Sequence, residues 1–257
     1  MIIDTHCHLD HSDYYNDLDE VLQRSFEAGV EKVIIPGASL EDLQRGVEIS
    51  EKYRNVYFSV GIHPYDIKSF NIDELKKHIS HPKCIAVGEC GLDYYRLEGS
   101  EEEQLAEKQL QAEIFIKQIE LSKEYKKPLI VHIRDASNDS LEILKKHASN
   151  ELGGVLHCYN ADSQLLVLAK KNFYFGIGGV LTFKNARKLV EVLPKIPLDK
   201  LLLETDAPYL TPHPFRGARN EPAYTKLICE KVSEILNIPA QEIENLTTKN
   251  ANKLFKF

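Results

Sequence analysis

Short runs of β-branched and aliphatic residues alternate with helical patterns along the whole chain. The apolar runs predict strands over Met1–Asp4, Lys32–Pro36, Tyr57–Gly61, Ile85–Gly88, Leu129–His132, Val155–His157, Phe173–Ile177 and Leu201–Glu204. Between them, Leu18, Val21, Leu22 and Phe26 share one helical face, and a second helical pattern runs from Glu41 to Tyr53. A long helix opens on Ser100-Glu101-Glu102-Glu103, which has the spacing of a capping box and places acids at the positive end of the helix dipole. Its pattern continues to Tyr125 and stops before Pro128. Each predicted strand is followed by a helical pattern, which implies parallel pairing, because parallel neighbours need a crossover connection. Eight such units in 257 residues predict an α/β protein built as a closed (β/α)8 TIM-like barrel rather than an open sheet. No composition break, linker or low-complexity segment interrupts residues 1–257, so a single barrel domain is expected.

Composition narrows the setting. Hydrophobic residues at 43% and charged residues at 28% are ordinary for a soluble folded domain, and a chain of this length buries a core without disulfide or metal staples. The uncharged run Asn172–Phe183 is too short for a bilayer, which takes ~20 residues. Met1-Ile2-Ile3-Asp4 leads straight into acidic and histidine residues, so no signal peptide is expected. Five cysteines, an odd number with no C-x-x-C pair, argue against a disulfide framework and for a reducing, cytoplasmic location. The net charge of −7 excludes a broad surface that coats nucleic acid, since that binding runs on phosphate neutralisation. Any phosphate chemistry must be local, arranged by a few Arg and Lys residues or by bound cations.

The ionisable residues that suggest such chemistry fall at the ends of the strands. His6 and His8 close the first as His-x-His, an i, i+2 spacing that turns both imidazoles to one face of an extended chain. Glu89, His132 and His157 follow the strands beginning at Ile85, Leu129 and Val155, and Asp206 lies just past Leu201–Glu204. In a barrel these ends share one rim, where active sites of this fold are built. Four histidines and two carboxylates converging there read as a metal site, and six ligands exceed what one tetrahedral ion uses. Two divalent ions, Mg, Mn or Zn, are therefore expected, with a carboxylate between them and a hydroxide bridging them as nucleophile. His11, His78, His81 and His147 fall in helical or connecting segments and are read as surface residues, and Cys7, Cys158 and Cys90 as small core thiols.

At this point the chain resembles the TatD family of metal-dependent hydrolases. The resemblance rests on Asp4-Thr5-His6-Cys7-His8-Leu9-Asp10, Val60-Gly61-Ile62-His63-Pro64 and Val87-Gly88-Glu89-Cys90-Gly91-Leu92-Asp93-Tyr94. It continues through Val131-His132-Ile133-Arg134-Asp135-Ala136, Gly154-Val155-Leu156-His157-Cys158-Tyr159 and Leu203-Glu204-Thr205-Asp206-Ala207-Pro208-Tyr209-Leu210, to Arg216-Gly217-Ala218-Arg219-Asn220-Glu221-Pro222. It implies a metal-dependent hydrolase barrel with one or two cations and deoxyribonuclease activity, acting as an exonuclease at strand ends. It also implies that His6, His8 and Asp206 hold one ion, with Glu89 bridging to a second held by His132 and His157. Cys90 departs from the family, whose members often carry Thr there.

The expected catalytic residues are Asp206, which ligates metal and orients or deprotonates the attacking water, together with Glu89 and His63. His63 is expected to touch substrate or leaving group, the alternative being a structural role before Pro64. Arg134 is expected to hold a phosphate oxygen, the alternative being an ion pair with Asp135. Asn220 is expected to bind substrate, although it and Arg219 are equally read as loop anchors, and Glu204 as an orienting or a buried structural acid. Tyr94, Tyr95, Tyr159 and Tyr209 are weaker candidates for base stacking. DNA or another phosphodiester is the expected partner, with no membrane and no obligate protein partner, and a monomer. Two other readings stay open: hydrolysis of a carboxylic ester or amide such as an aminoacyl-tRNA ester, and a noncatalytic metal-binding scaffold.

Overall fold

A computed structural model describes residues 1–257. Its strands are β1 (Ile2–Asp4), β2 (Val30–Ile35), β3 (Val56–Val60), β4 (Cys84–Asp93), β5 (Leu129–Arg134), β6 (Gly154–Leu156), β7 (Phe173–Ile177) and β8 (Leu201–Leu203). All pair in parallel in chain order, giving a nearly closed eight-stranded barrel. Helices α1 (Leu18–Glu27), α2 (Leu40–Lys52), α3 (Ile72–His78), α4 (Glu101–Tyr125), α5 (Ser137–His147) and α6 (Arg187–Val192) follow β1 to β5 and β7. After β8 come α7 (Thr225–Leu236) and α8 (Ala240–Phe255). No helix is long and apolar enough to cross a membrane.

Two details depart from the sequence pattern. The segment after β6 winds as a 3-10 helix over Ser163–Lys171, a geometry that eclipses i and i+3 and so buries Leu165 and Leu168 side by side. And β4 runs well past Gly88, to Asp93. Gly88 reads as a strand end, but it has φ +143, and a Cβ there would lie 2.3 Å from the Ile130 carbonyl oxygen. The glycine lets β4 press against β5 through a register shift between Val87 and Cys90, a bulge that re-aims the intervening side chain. That side chain is Glu89, which therefore lies within its strand and not beyond it.

The last seam closes beyond the named strands. Thr5 N–H donates to Leu203 O at 3.1 Å, Asp206 N–H to His6 O at 2.8 Å and His8 N–H to Ala207 O at 2.8 Å. Asp4 fastens the same seam, accepting from Thr205 N–H at 2.9 Å and from the Thr205 hydroxyl at 2.6 Å. The segments that complete the barrel are thus the ones that carry His6, His8 and Asp206.

Side chains alternate across the strands. One face packs outward under the helices, in a large cluster that includes Val33, Phe58, Val131, Phe175 and Leu203. The other points into the barrel, where Ile3, Ile34, Ile130, Val155, Tyr174 and Leu202 form an apolar layer closed from below by Ala251, Leu254 and Phe255 of α8. Two residues further along the same inward rows stand His132, His157 and Glu204.

Candidate metal centre

The structure gathers all six residues singled out by their strand-end positions, around the carboxylate of Glu89. Its two oxygens face different partners. Oε2 lies 3.2 Å from His6 Nε2 and 3.9 Å from His8 Nε2. Oε1 lies 2.8 Å from His157 Nε2 and 2.9 Å from His132 Nδ1. Asp206 completes the first set, with Oδ1 3.6 Å from His6 Nε2 and 3.5 Å from His8 Nε2. The His6 and His157 rings stack with centroids 3.9 Å apart, which links the two sets.

Donor chemistry tests whether a cation belongs here. His6 is wholly buried, and neither ring nitrogen has a hydrogen-bond partner. A buried polar atom left unmatched costs about 1–3 kcal/mol, so two on one ring need a compensating group. His132 Nδ1 and His157 Nε2 approach to 3.1 Å beside Glu89, a convergence of donor atoms that requires a proton or a cation between them. Imidazole nitrogens with hard carboxylate oxygens suit Zn, Mn or Mg, and the residues fit such ions.

The hydrogen bonds assign the tautomers. His132 Nε2 lies 2.8 Å from Asp93 Oδ2, so it carries a proton there and leaves Nδ1 as the nitrogen that would meet a cation beside Glu89. This is the carboxylate–histidine arrangement that orients metal-ligating imidazoles. His63 is the opposite case. Its Nδ1 accepts from Tyr65 N–H at 3.1 Å, so in the neutral ring Nε2 bears the proton and points to Glu89 Oε1 at 3.5 Å. His63 therefore presents a donor to the site where His132 presents a nitrogen for the cation.

The electrostatics follow from burial around one anionic centre. Burial alone would raise Glu89, but the His157, His6 and His63 imidazoles hold it well below the usual carboxylate range. Burial opposes the charge on His157 and His8, yet Glu89 lifts the first to about 10 and Asp206 lifts the second to about 9. Burial, reinforced by the neighbouring His157 cation, lowers His6 to about 4. Burial also lowers His63, to about 3, so it is neutral near pH 7. Burial raises Glu204 to about 8.

Around this centre the remaining candidates separate. The Arg134 guanidinium stacks 3.7 Å over the Tyr95 ring instead of pairing with Asp135. The substrate-binding expectation for Asn220 is corrected: it is 0% exposed, and its amide donates to Thr205 O at 3.0 Å and to Tyr209 O at 2.6 Å. Those bonds fix the loop that carries Asp206 and leave no group for a ligand. Arg219 likewise anchors its loop, reaching Asp17 Oδ1 at 2.9 Å. Glu204 is buried under the site, accepts from Cys158 N–H and lies 3.8 Å from His157 Nδ1. Gly176 makes that possible, since a Cβ there would fall 2.1 Å from Glu204 Oε2. Tyr94 donates to Asp139 and Tyr159 to the Asp162 carbonyl, so both belong to packing. Tyr95 and Tyr209 stay exposed. All five thiols are free, with Cys7 and Cys90 buried and Cys158 partly so. His11, His78, His81 and His147 are partly exposed and lie outside the cluster.

Sequence reasoning missed Asp93, Gln111 and Gln118. Asp93 stands four residues after Glu89 in the stretch Val87–Tyr94, and that even spacing along β4 was a usable signal. The glutamines gave none beyond sitting on the apolar face of α4.

Barrel, donor set and unmatched imidazoles together define the class as a metal-dependent hydrolase. The sequence model described as TatD related DNase matches residues 3–256, and the chain belongs to that family. It is 40% identical to the uncharacterized metal-dependent hydrolase YabD of Bacillus subtilis, over 100% of this chain and 99% of that one. It is 32% identical to the 3'-5' ssDNA/RNA exonuclease TatD of Citrobacter rodentium, over 99% of this chain and 97% of the relative. Among solved structures, the TatD homolog YJJV of Escherichia coli K12 superposes with TM-score 0.90 at 31% identity, covering 100% of this chain and 98% of that one.

Proposed function

We propose that this protein hydrolyses phosphodiester bonds of DNA from strand ends, using two divalent cations of the Mg, Mn or Zn type. The observation that carries the reading is Glu89, whose Oε2 faces His6 and His8 while Oε1 faces His132 and His157. One carboxylate addressing two nitrogen sets is the arrangement of a two-ion hydrolase site. Bound cations there supply Lewis acidity and lower the pKa of water. Asp206, held anionic by His8 and His6, orients the attacking water and takes its proton. His63 donates Nε2–H toward the reacting group and, being neutral, steers without adding charge. Arg134 lies next in register to Asp93 and supplies a local cation for a phosphate oxygen, which a chain of net charge −7 needs at this place. The exonuclease named among the relatives supports the same substrate class.

The test is a substrate panel on protein stripped of metal and reloaded with Mg, Mn or Zn. A single-stranded DNA oligonucleotide, bis-p-nitrophenyl phosphate and a simple carboxylic ester are compared. Cation-dependent release of mononucleotides from the oligonucleotide is expected. Cleavage of the ester with both phosphodiesters untouched would sink the proposal and favour the ester reading.

A further inference from the structure

Helix α4 grips the rim of the barrel with two buried glutamines. Gln111 accepts from Asp93 N–H at 2.9 Å and donates to Asp93 O at 3.0 Å. Gln118 does the same to Ile62, at 2.8 Å and 3.0 Å. Each amide behaves as a piece of neighbouring strand, matching both backbone groups of one residue. A buried amide carries a desolvation cost that an apolar side chain of the same size avoids. What the amide adds is orientation, because both ends of its partner residue are fixed.

The two grips differ in what they lead to. Ile62 precedes His63, which presents a proton to the site. Asp93 leads to His132: with its backbone pinned by Gln111, its Oδ1 accepts from Tyr95 N–H at 2.9 Å and its Oδ2 from His132 Nε2–H at 2.8 Å. Neither carboxylate oxygen is left free to turn. His132 is thereby held with Nε2–H on Asp93 and with Nδ1 toward Glu89, the nitrogen a cation would take once its proton is displaced.

We propose that Gln111 is a positioning residue that acts through Asp93 on His132, so that α4 sets the affinity of the cation on that side of Glu89 without touching it. The inference rests on the two-cation reading and deepens it. Partners of metal-ligating histidines typically account for about 10–100-fold in metal affinity.

The experiment titrates Mn2+ into metal-stripped full-length protein by calorimetry, for the wild type, Asp93→Asn, Gln111→Leu and Gln118→Leu. His132→Ala identifies which binding step belongs to this cation, and circular dichroism confirms folding. Asp93→Asn and Gln111→Leu are expected to weaken that step by about 10–100-fold and to leave the other unchanged. Gln118→Leu is expected to leave both steps unchanged, although the grips are alike. Wild-type affinity in Gln111→Leu, or equal weakening in Gln118→Leu, would overturn the relay and reduce both glutamines to packing. Should Gln111→Leu not fold, Gln111→Met takes its place, since it keeps the side-chain length and removes the amide that holds the Asp93 backbone. A wild type that takes up a single cation overturns the two-cation reading together with the relay. Two cations in the wild type with unaltered steps in Asp93→Asn overturn the relay only.

Discussion

The inside of the barrel has two ends built from the same strands. At the base, Ile130, Val155 and Leu202 meet Leu254 and Phe255 of α8 in a sealed apolar layer. Two residues along the same rows, His132, His157 and Glu204 face one another across a cluster with unmatched buried nitrogens and oxygens. The strand period of two makes this possible, since stepping two residues changes the height of a side chain and not its direction. The base holds apolar groups that pack on each other, with the Tyr174 hydroxyl its one polar side-chain atom. The rim also holds groups, His6 Nδ1 and Nε2, His157 Nδ1 and Glu204 Oε2, whose desolvation no neighbouring hydrogen bond offsets. Stability and chemistry are therefore stacked along one set of strands, and substitutions at the two heights should fail in different ways.

The largest effect is expected at the rim. Asp206→Asn keeps the side-chain shape and an oxygen for metal but loses the base, so turnover on DNA should fall about 10²–10⁴-fold. Metal content by elemental analysis should be retained. A near-normal rate in this variant would remove Asp206 from the mechanism. The matching change at the base is Phe255→Ala, which deletes a ring that is 4% exposed. It should destabilise the fold by about 3–5 kcal/mol, read by denaturant unfolding, while the turnover of the folded fraction stays unchanged. A base substitution that abolished cation binding in folded protein would break the division between the two ends.

Next in size is the response to chelation. If the rim is frustrated without cations, adding Mn2+ at about 100 times its Kd should stabilise the native state by about 2.7 kcal/mol, read as a rise in Tm. The Phe255→Ala protein should show the same increment, because the two ends are independent. An increment that vanished with the base substitution would show that they are coupled.

How much of this was legible depends on which physical signal each residue leaves. The eight strands and the rim positions of His6, His8, His132, His157 and Asp206 follow from short apolar runs ending in ionisable residues, a pattern that topology converts into proximity. Glu89 was placed on the right rim for an incomplete reason, because Gly88 looks like a strand end and is instead a bulge that aims the carboxylate. Asn220 was misjudged because its place after the last strand says nothing of where its amide points, and backbone carbonyls inside its own loop claimed it. Gln111 and Gln118 were invisible, since a glutamine that bonds to distant backbone looks in sequence like any polar residue on a helix.

The smallest effect is a proton balance, and it distinguishes the ends by sign. Without metal, Glu89 holds His157 protonated up to about pH 10, and Asp206 holds His8 protonated up to about 9. Both values lie above the ordinary histidine value of ~6.5, so these charges stabilise the metal-free fold fully below ~6.5 and lose their contribution as pH rises through about 9 and 10. A cation must displace the same protons to reach the nitrogens. Its binding near pH 8 should therefore release protons, and its affinity should climb with pH by up to about tenfold per unit for each proton displaced. His6, lowered to about 4, contributes nothing to that slope. The one titrating group in the base layer, the Tyr174 phenol, is pushed up further by burial and so stays neutral near pH 8, adding nothing either. Calorimetry of Mn2+ binding in buffers of different ionisation enthalpy reads the released protons directly. A heat that did not depend on buffer would mean the imidazoles are already neutral, and that the rim is held open by something other than the charge on Glu89 and Asp206.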